Sequence, residues 1–524
     1  MIIDINDILA ISSVVVLLSV LLSKSSNKFG LPILVVFLGI GMLAGSEGVG
    51  GIHYEDYALT HSISLVAICL IIFSGGLMTR KEDIKPVFKT GLALSSIGVI
   101  LTTAFVGVFC FYFLKLPIFE ALLIGAILSS TDAAAVFTIL RDKKSQVSKN
   151  VKSLLEFESG SNDPMAFLLV SIFLGLYEGN YTFDAHTVLE ICLNPVLGAL
   201  GGYVFFQLFK FVNNTTQLDF QGLYPALTIS FLFLTYSTVT KFQGNGFLAV
   251  YIFALSLGNT KVVNKRSLIT FFDGISWLSQ IGLFIMLGLL VFPSRLMEIA
   301  PQAIVVSLFL VFVGRPVSIF ISTIFSGYSF KSKLFISWAG LKGATPIVFA
   351  SMVATKVGTE ANLIFDIVFF SVFTSATLQG MTLKPIARRL HLLFEVIEDP
   401  EFPVDLDILE KTKNGIREIS LFNEDFAVGN RIVDLNLPDG NLVLFIKRTG
   451  SFIIPDGSTV FEGNDKILIV TPEKNQIDET VEYFKVQQHE DNLLDFQDHS
   501  ADEAELNFED EIEESSELSN KKSA

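Results

Sequence analysis

The sequence predicts an all-α polytopic membrane protein of thirteen transmembrane helices, followed by a small α+β cytoplasmic domain and an acidic disordered tail. Three observations carry this. Hydrophobic residues make up 51% of the 524 positions and mean hydropathy is +0.57, which excludes an ordinary soluble enzyme. Apolar runs approaching the ~20 residues that span a hydrocarbon core recur up to about residue 390. The net charge of −16 is concentrated in residues 489–524, where thirteen acids face two lysines, so no basic face remains for nucleic acid.

The runs lie near 5–23, 31–46, 58–78, 91–114, 117–140, 151–177, 187–212, 224–240, 245–258, 269–293, 301–325, 333–355 and 361–383. The start MIIDINDILA is unlike a cleaved leader, so the first run is read as retained. Alternate connections carry twenty and four Lys and Arg, a bias that places the amino terminus in the periplasm and everything beyond Leu390 in the cytoplasm of an inner-membrane protein. Cys69, Cys110 and Cys192 fall inside apolar runs and read as small core residues. Glu120, Asp273 and Asp366 lie close to run ends and read as solvated. His61 and His186 also lie near span ends and are given no role.

Two basic residues, Arg315 and Lys342, lie inside runs and need buried partners, because an ionisable group at membrane depth is costly. The fifth run reads GAILSSTDAAAVFTIL, with Thr131 and Asp132 in a polar cluster that suits a broken helix. In the sixth run, Glu156 and Asp163 nearly eclipse on one helical stripe, while Glu158 and Asn162 share another. The first stripe can face a cavity; the second can send Glu158 to Arg315 or Lys342. The twelfth run, SWAGLKGATPIVFA, is interrupted as well, and its odd offset of seven from the fifth marks an inverted repeat with broken helices.

The TD pair Thr131–Asp132, the ESxxND pattern from Glu158 to Asp163, and WAGLKGATP resemble the cation/proton antiporter family 1, in particular its bacterial NhaP-type branch, over about residues 1–390. The resemblance implies a homodimer with a rigid dimerisation domain and a mobile core that carries the ion across by elevator-type alternating access. It assigns Asp163 as the carboxylate that exchanges a proton for a cation, with Asp132, Thr131 and Ser159 completing the ion site and Asn162 organising it. Glu158 corresponds to the family's buried acidic partner of an arginine. Two departures stand out: Lys342 replaces a usual arginine, and Ser74 replaces an acid that is common before Gly75–Gly76.

Proton and cation then compete for one negative charge, and one-for-one exchange of K+ or Na+ for H+ is electroneutral. Oxygen donors suit either ion; Na+/H+ exchange is the alternative to K+/H+. A cation channel gated by its cytoplasmic domain is the alternative of another class, although adjacent spans rich in acids and the lack of a TVGYG-like filter speak against it. No cofactor and no metal beyond the transported cation are implied.

From about 400 to 488, short alternating runs at 416–422, 441–448, 450–455 and 466–471, separated by PDG and EGND turns and followed by one helix, give the α+β domain. It resembles the TrkA-C module, for which binding of a small-molecule ligand and plain assembly of the dimer are both open. Residues 489–524 cannot bury much surface and read as disordered.

Overall fold

The computed structural model describes residues 13–14, 16–21, 33–140, 145–181, 185–216, 218–260, 262–357, 361–395, 415–449, 451–473 and 476–485. The acidic tail, most of the linker before the second domain and much of the first apolar run lie outside the described residues. The chain divides into two units, Met1–Val396 and Ile397–Ala524.

The first unit is helical. Among the described residues, seven helices are long and apolar enough to cross a membrane: Tyr57–Met78, Phe88–Leu114, Leu189–Thr215, Leu223–Lys241, Lys265–Leu289, Pro293–Ser322 and Asn362–Arg389. Shorter apolar helices run over Ile33–Ala44, Ile118–Ile127, Gly246–Gly258 and Thr345–Ala354. The acidic helix Lys149–Tyr177 continues through Pro164 without a break.

These elements sort into two groups by their packing. Ile33–Ala44, Tyr57–Met78, the long helix ending at Thr215, Leu223–Lys241, Gly246–Gly258 and Lys265–Leu289 form one. Phe88–Leu114, the two broken helices, the acidic helix, Pro293–Ser322 and Asn362–Arg389 form the other. The broken helices are Ile118–Ile127 with Ala133–Leu140, and Phe330–Trp338 with Thr345–Ala354.

Three helices of the second group contain a π-helical turn, at Leu94–Gly98, Leu310–Gly314 and Ser375–Gln379. Such turns commonly mark functional sites because the extra residue re-aims the side chains around it. Two of them act on the breaks. Arg315 follows the second turn directly, and Ser375 and Gln379 bracket the third.

Burial corrects three sequence expectations. Cys192 is exposed, while Cys69 and Cys110 are buried. Glu120 and Asp366 are buried at 4% and 1% exposure instead of solvated. Asp366 accepts from Arg295 Nη2 at 3.0 Å and pairs with its Nε at 2.5 Å, so proximity to a run end did not mean access to water. Asp273 is exposed.

A short antiparallel ladder joins β1 (Ser145–Val147) to β2 (Leu393–Glu395), with Ser145 opposite Glu395 and Val147 opposite Leu393. β1 lies between the first broken helix and the acidic helix; β2 follows the last helix of the unit.

Among its described residues, the second unit is a four-stranded antiparallel sheet in the order β3-β6-β4-β5, from Gly415–Ser420, Lys466–Thr471, Leu442–Arg448 and Ser451–Ile453, with one α-helix, Ile477–Lys485. The expected turns appear as left-handed Gly440 (φ +85°) and Asn464 (φ +70°). Its core joins Ile419, Val443, Ile446, Ile467, Ile469 and Phe484. Asp465, 1% exposed, is held by Arg448 Nε at 2.9 Å and Nη2 at 2.7 Å.

Asn245 ties the two helix groups together. Its Oδ1 accepts from Leu248 N at 3.0 Å, capping Gly246–Gly258, and its Nδ2 donates to the Pro164 carbonyl of the acidic helix at 2.8 Å. Asn245→Ala loses both bonds at a 2%-exposed position and is expected to cost about 1–3 kcal/mol, read as a lower thermal midpoint of the detergent-solubilised protein.

Candidate functional site

A helix that unwinds inside a hydrocarbon layer strands backbone donors and acceptors, each of which must find a partner in the protein. Residues 128–132 and 339–344 unwind in this way, and they cross. Asp132 N donates to the Leu341 carbonyl at 2.8 Å. In return, Lys342 Nζ donates to the Ser130 carbonyl at 2.9 Å. The third π-helical turn completes the set: Lys342 N donates to Ser375 Oγ at 3.1 Å, Ser375 Oγ to Gln379 Oε1 at 2.5 Å, and Gln379 Nε2 to the Trp338 carbonyl at 2.9 Å.

The acidic helix is stitched onto the first break. Ser159 Oγ accepts from Ala133 N and donates to the Thr131 carbonyl, both at 3.0 Å, so it clasps the chain on either side of Asp132. Asn162, fully buried, donates through Nδ2 to Thr131 Oγ1 at 2.5 Å. Asp163 accepts from Thr345 Oγ1 at 3.0 Å and from Ser130 Oγ. Hydroxyls from both broken helices thus converge on one carboxylate. Ser130 links that carboxylate to Lys342, since its hydroxyl serves the first and its carbonyl the second.

Asp132 has a definite local job. Its Oδ1 accepts from Ala135 N at 3.1 Å and caps the half-helix Ala133–Leu140. Gly343 lies against it. A Cβ there would sit 2.4 Å from Asp132 Oδ2 and 2.7 Å from its Cβ, so only glycine lets the two breaks approach this closely.

Arg315 and Glu158 pair at 2.6 Å (Nη2 to Oε1), with side chains 3% and 1% exposed. Of the two basic partners the sequence offered Glu158, the structure chooses Arg315; Lys342, 2% exposed, turns to the Ser130 carbonyl. The space for the guanidinium is again a glycine's, because a Cβ on Gly340 would meet Arg315 Nε at 2.5 Å.

A cavity of about 340 Å³ reaches this centre, lined by Thr131, Asp132, Ser159 and Asp163 on one side. Glu156 shares that lining, as the helical phase requires of a residue seven positions before Asp163. The opposite wall comes from the first helix group: Ser74, Tyr251, and Asp273, Ser276, Trp277 and Gln280 on successive turns of Lys265–Leu289. Sequence reading had set Asp273 aside and had not singled out Gln280 or Tyr251. The spacing 273, 276/277, 280 was the available signal, a polar stripe along an otherwise apolar helix.

Comparison with known proteins gives consistent results. The family described as Sodium/hydrogen exchanger, transmembrane, matches residues 13–389, and the TrkA-C domain matches 417–485. The K(+)/H(+) antiporter NhaP of Alkalimonas amylolytica is 33% identical over 469 residues, covering 89% of this chain and 81% of that protein. The K(+)/H(+) antiporter NhaP2 of Shewanella oneidensis is 34% identical over 484 residues, covering 90% and 82%. Among solved structures, the sodium proton antiporter MjNhaP1 from Methanocaldococcus jannaschii superimposes with a TM-score of 0.65 at 21% identity, over 73% of this chain and 98% of that one.

Breaking one side of the buried ion pair strands the other charge. Arg315→Met is expected to lower stability by about 3–5 kcal/mol, and Arg315→Met with Glu158→Leu to recover most of it. Thermal midpoints of the two purified variants in detergent check this.

Proposed function

The chain belongs to the sodium/hydrogen exchanger family, and from that premise we propose that it exchanges one monovalent cation for one proton at Asp163. Its relatives are antiporters, not enzymes. The observation that carries the reading is the state of the Asp163 carboxylate: it faces a cavity and is held by two hydroxyls, not by a cationic side chain. Such an acid can take up either a proton or a metal ion. A carboxylate bound permanently to arginine, like that of Glu158, could do neither.

In this reading Asp163 is the exchanged charge. Asp132, Thr131 and Ser159 supply oxygens around it, Asn162 fixes Thr131, and the Arg315–Glu158 pair holds the second break against the acidic helix. Lys342 balances the carbonyl end of the first break when no cation is bound. Proton and cation compete for one negative charge, and only the neutralised site crosses at low cost. The two half-cycles then carry equal charge, so exchange is electroneutral.

Thirteen spans, a periplasmic amino terminus and a cytoplasmic carboxy terminus follow from the charge bias of the connections, in an inner membrane. The second helix group moves as an elevator against the first, which forms the homodimer. The TrkA-C unit regulates or assembles the transporter. Potassium is the favoured ion because the relatives at 33% and 34% identity are K(+)/H(+) antiporters. Sodium is the second reading, because the carboxylate and hydroxyl oxygens gathered around Asp163 suit either ion.

The test is reconstitution into vesicles with an imposed pH gradient, adding potassium or sodium in turn. Wild type is expected to collapse the gradient on cation addition at a rate unchanged by clamping the membrane potential. Asp163→Asn is expected to fall to the protein-free rate; cation-dependent proton movement surviving in that variant overturns the assignment.

A further inference from the structure

The large cavity reaches Asp163 from the side of Ser74, Tyr251 and Lys265–Leu289. In the other direction the space is filled with aromatic rings. Phe167 stands one helical turn beyond Asp163, and Phe349 one turn beyond Thr345, so both ride on helices that hold the carboxylate. Phe247, 2% exposed, comes from the first turn of Gly246–Gly258 in the other helix group and meets them both. Its ring centroid is 4.8 Å from that of Phe167 at an interplanar angle of 86°, and 6.4 Å from that of Phe349. Phe167 and Phe349 are 5.7 Å apart, and Tyr236 lies 5.2 Å from Phe247.

Beyond these rings is a second cavity of about 50 Å³, lined by the same four rings with His61, Leu65, Val348 and Met352. It has room for a water molecule or two. His61 Nδ1 is buried there without a hydrogen bond among the described residues.

Four helices place the two cavities in a consistent relation to the rings. Along Tyr57–Met78 the small chamber takes residues 61 and 65 and the large cavity begins at residue 68. On the acidic helix the large cavity ends at Asp163 and the small one takes Phe167. On Thr345–Ala354 the order is Thr345, then 348 to 352; on Gly246–Gly258, Tyr251 lines the large cavity and Phe247 the small one.

We propose that Phe167, Phe247 and Phe349 form the barrier that closes the ion path on the side away from the large cavity, and that the His61 chamber is the first station beyond it. The proposal rests on the reading of Asp163 as the exchange site. An apolar constriction stops ions by excluding the water they carry, and three converging rings provide that without a plug of charge. The contact is also one that can part. Phe247 belongs to one helix group and Phe167 and Phe349 to the other, so a shift between the groups separates the rings at the cost of the Asn245–Pro164 bond, while each helix keeps its internal hydrogen bonds. Near the chamber's far end, Tyr57, one turn before His61, donates to Asn362 Oδ1 of the second group at 3.1 Å, a bond across the same seam as that of Asn245 to the Pro164 carbonyl.

The experiment measures decay of a pH gradient in vesicles containing the full chain, with no potassium or sodium present. Phe247→Ala and Phe349→Ala are expected to let the gradient decay several-fold faster than wild type, and Phe247→Leu, which refills most of the volume, to restore a tight barrier. Elution as a single species on size exclusion establishes that each variant is folded, and either alanine variant suffices if the other does not purify. Folded alanine variants as tight as wild type overturn the barrier, as does a Phe247→Leu protein that leaks as fast as Phe247→Ala. A wild type without cation-stimulated proton movement sinks the exchange reading instead, and that result is distinct because the leak is recorded without cation.

Discussion

Polar backbone cannot be left bare in a hydrocarbon layer, and the whole site depends on how this chain meets that requirement at two breaks at once. Each break supplies what the other lacks. The first gives a carbonyl to Lys342 and the second gives a carbonyl to the Asp132 amide, so neither half could unwind alone. The remaining needs are met by neighbours that are themselves irregular: Ser375 and Gln379 reach the second break because a π-helical turn aims them there. Ser159, Asn162 and Asp163 then bind the acidic helix to the crossing through hydroxyl and amide groups.

Two kinds of carboxylate result, and their surroundings separate their roles. Glu158 is shut away with Arg315, a pairing that holds helices in register and offers nothing to an ion. Asp163 is left with neutral donors and an approach from the cavity. Asp132 falls between them, since one oxygen is engaged as a helix cap. A cap of this kind ties the charge of Asp132 to the position of the half-helix that follows it.

Much of this was legible in the sequence because membrane burial makes exceptions conspicuous. Thr131, Asp132, Asp163 and Lys342 stand out in apolar runs, and helical phase alone put Glu156 with Asp163 and Glu158 with Asn162. Phase does not say which neighbour a side chain meets. Glu158 had two candidate cations, and the choice falls to Arg315 in the space that Gly340 leaves open, which is a matter of tertiary packing. Asp366 and Glu120 misled for a related reason: distance from a run end measures depth along a helix, whereas burial depends on what packs sideways against it. The far wall of the cavity and the ring cluster were hidden because they assemble from distant segments of ordinary apolar composition.

The ladder between β1 and β2 has a mechanical consequence. The polypeptide leaves the membrane unit through Glu395, and that residue is already fastened to Ser145, a few positions ahead of the helix that bears Asp163. Tension arriving along the chain from residue 397 onward therefore loads this three-rung clasp before it can tug on the last helix. Strain on this exit is felt first at the threshold of the acidic helix, so the exit strand doubles as a lever on the element that bears Asp163.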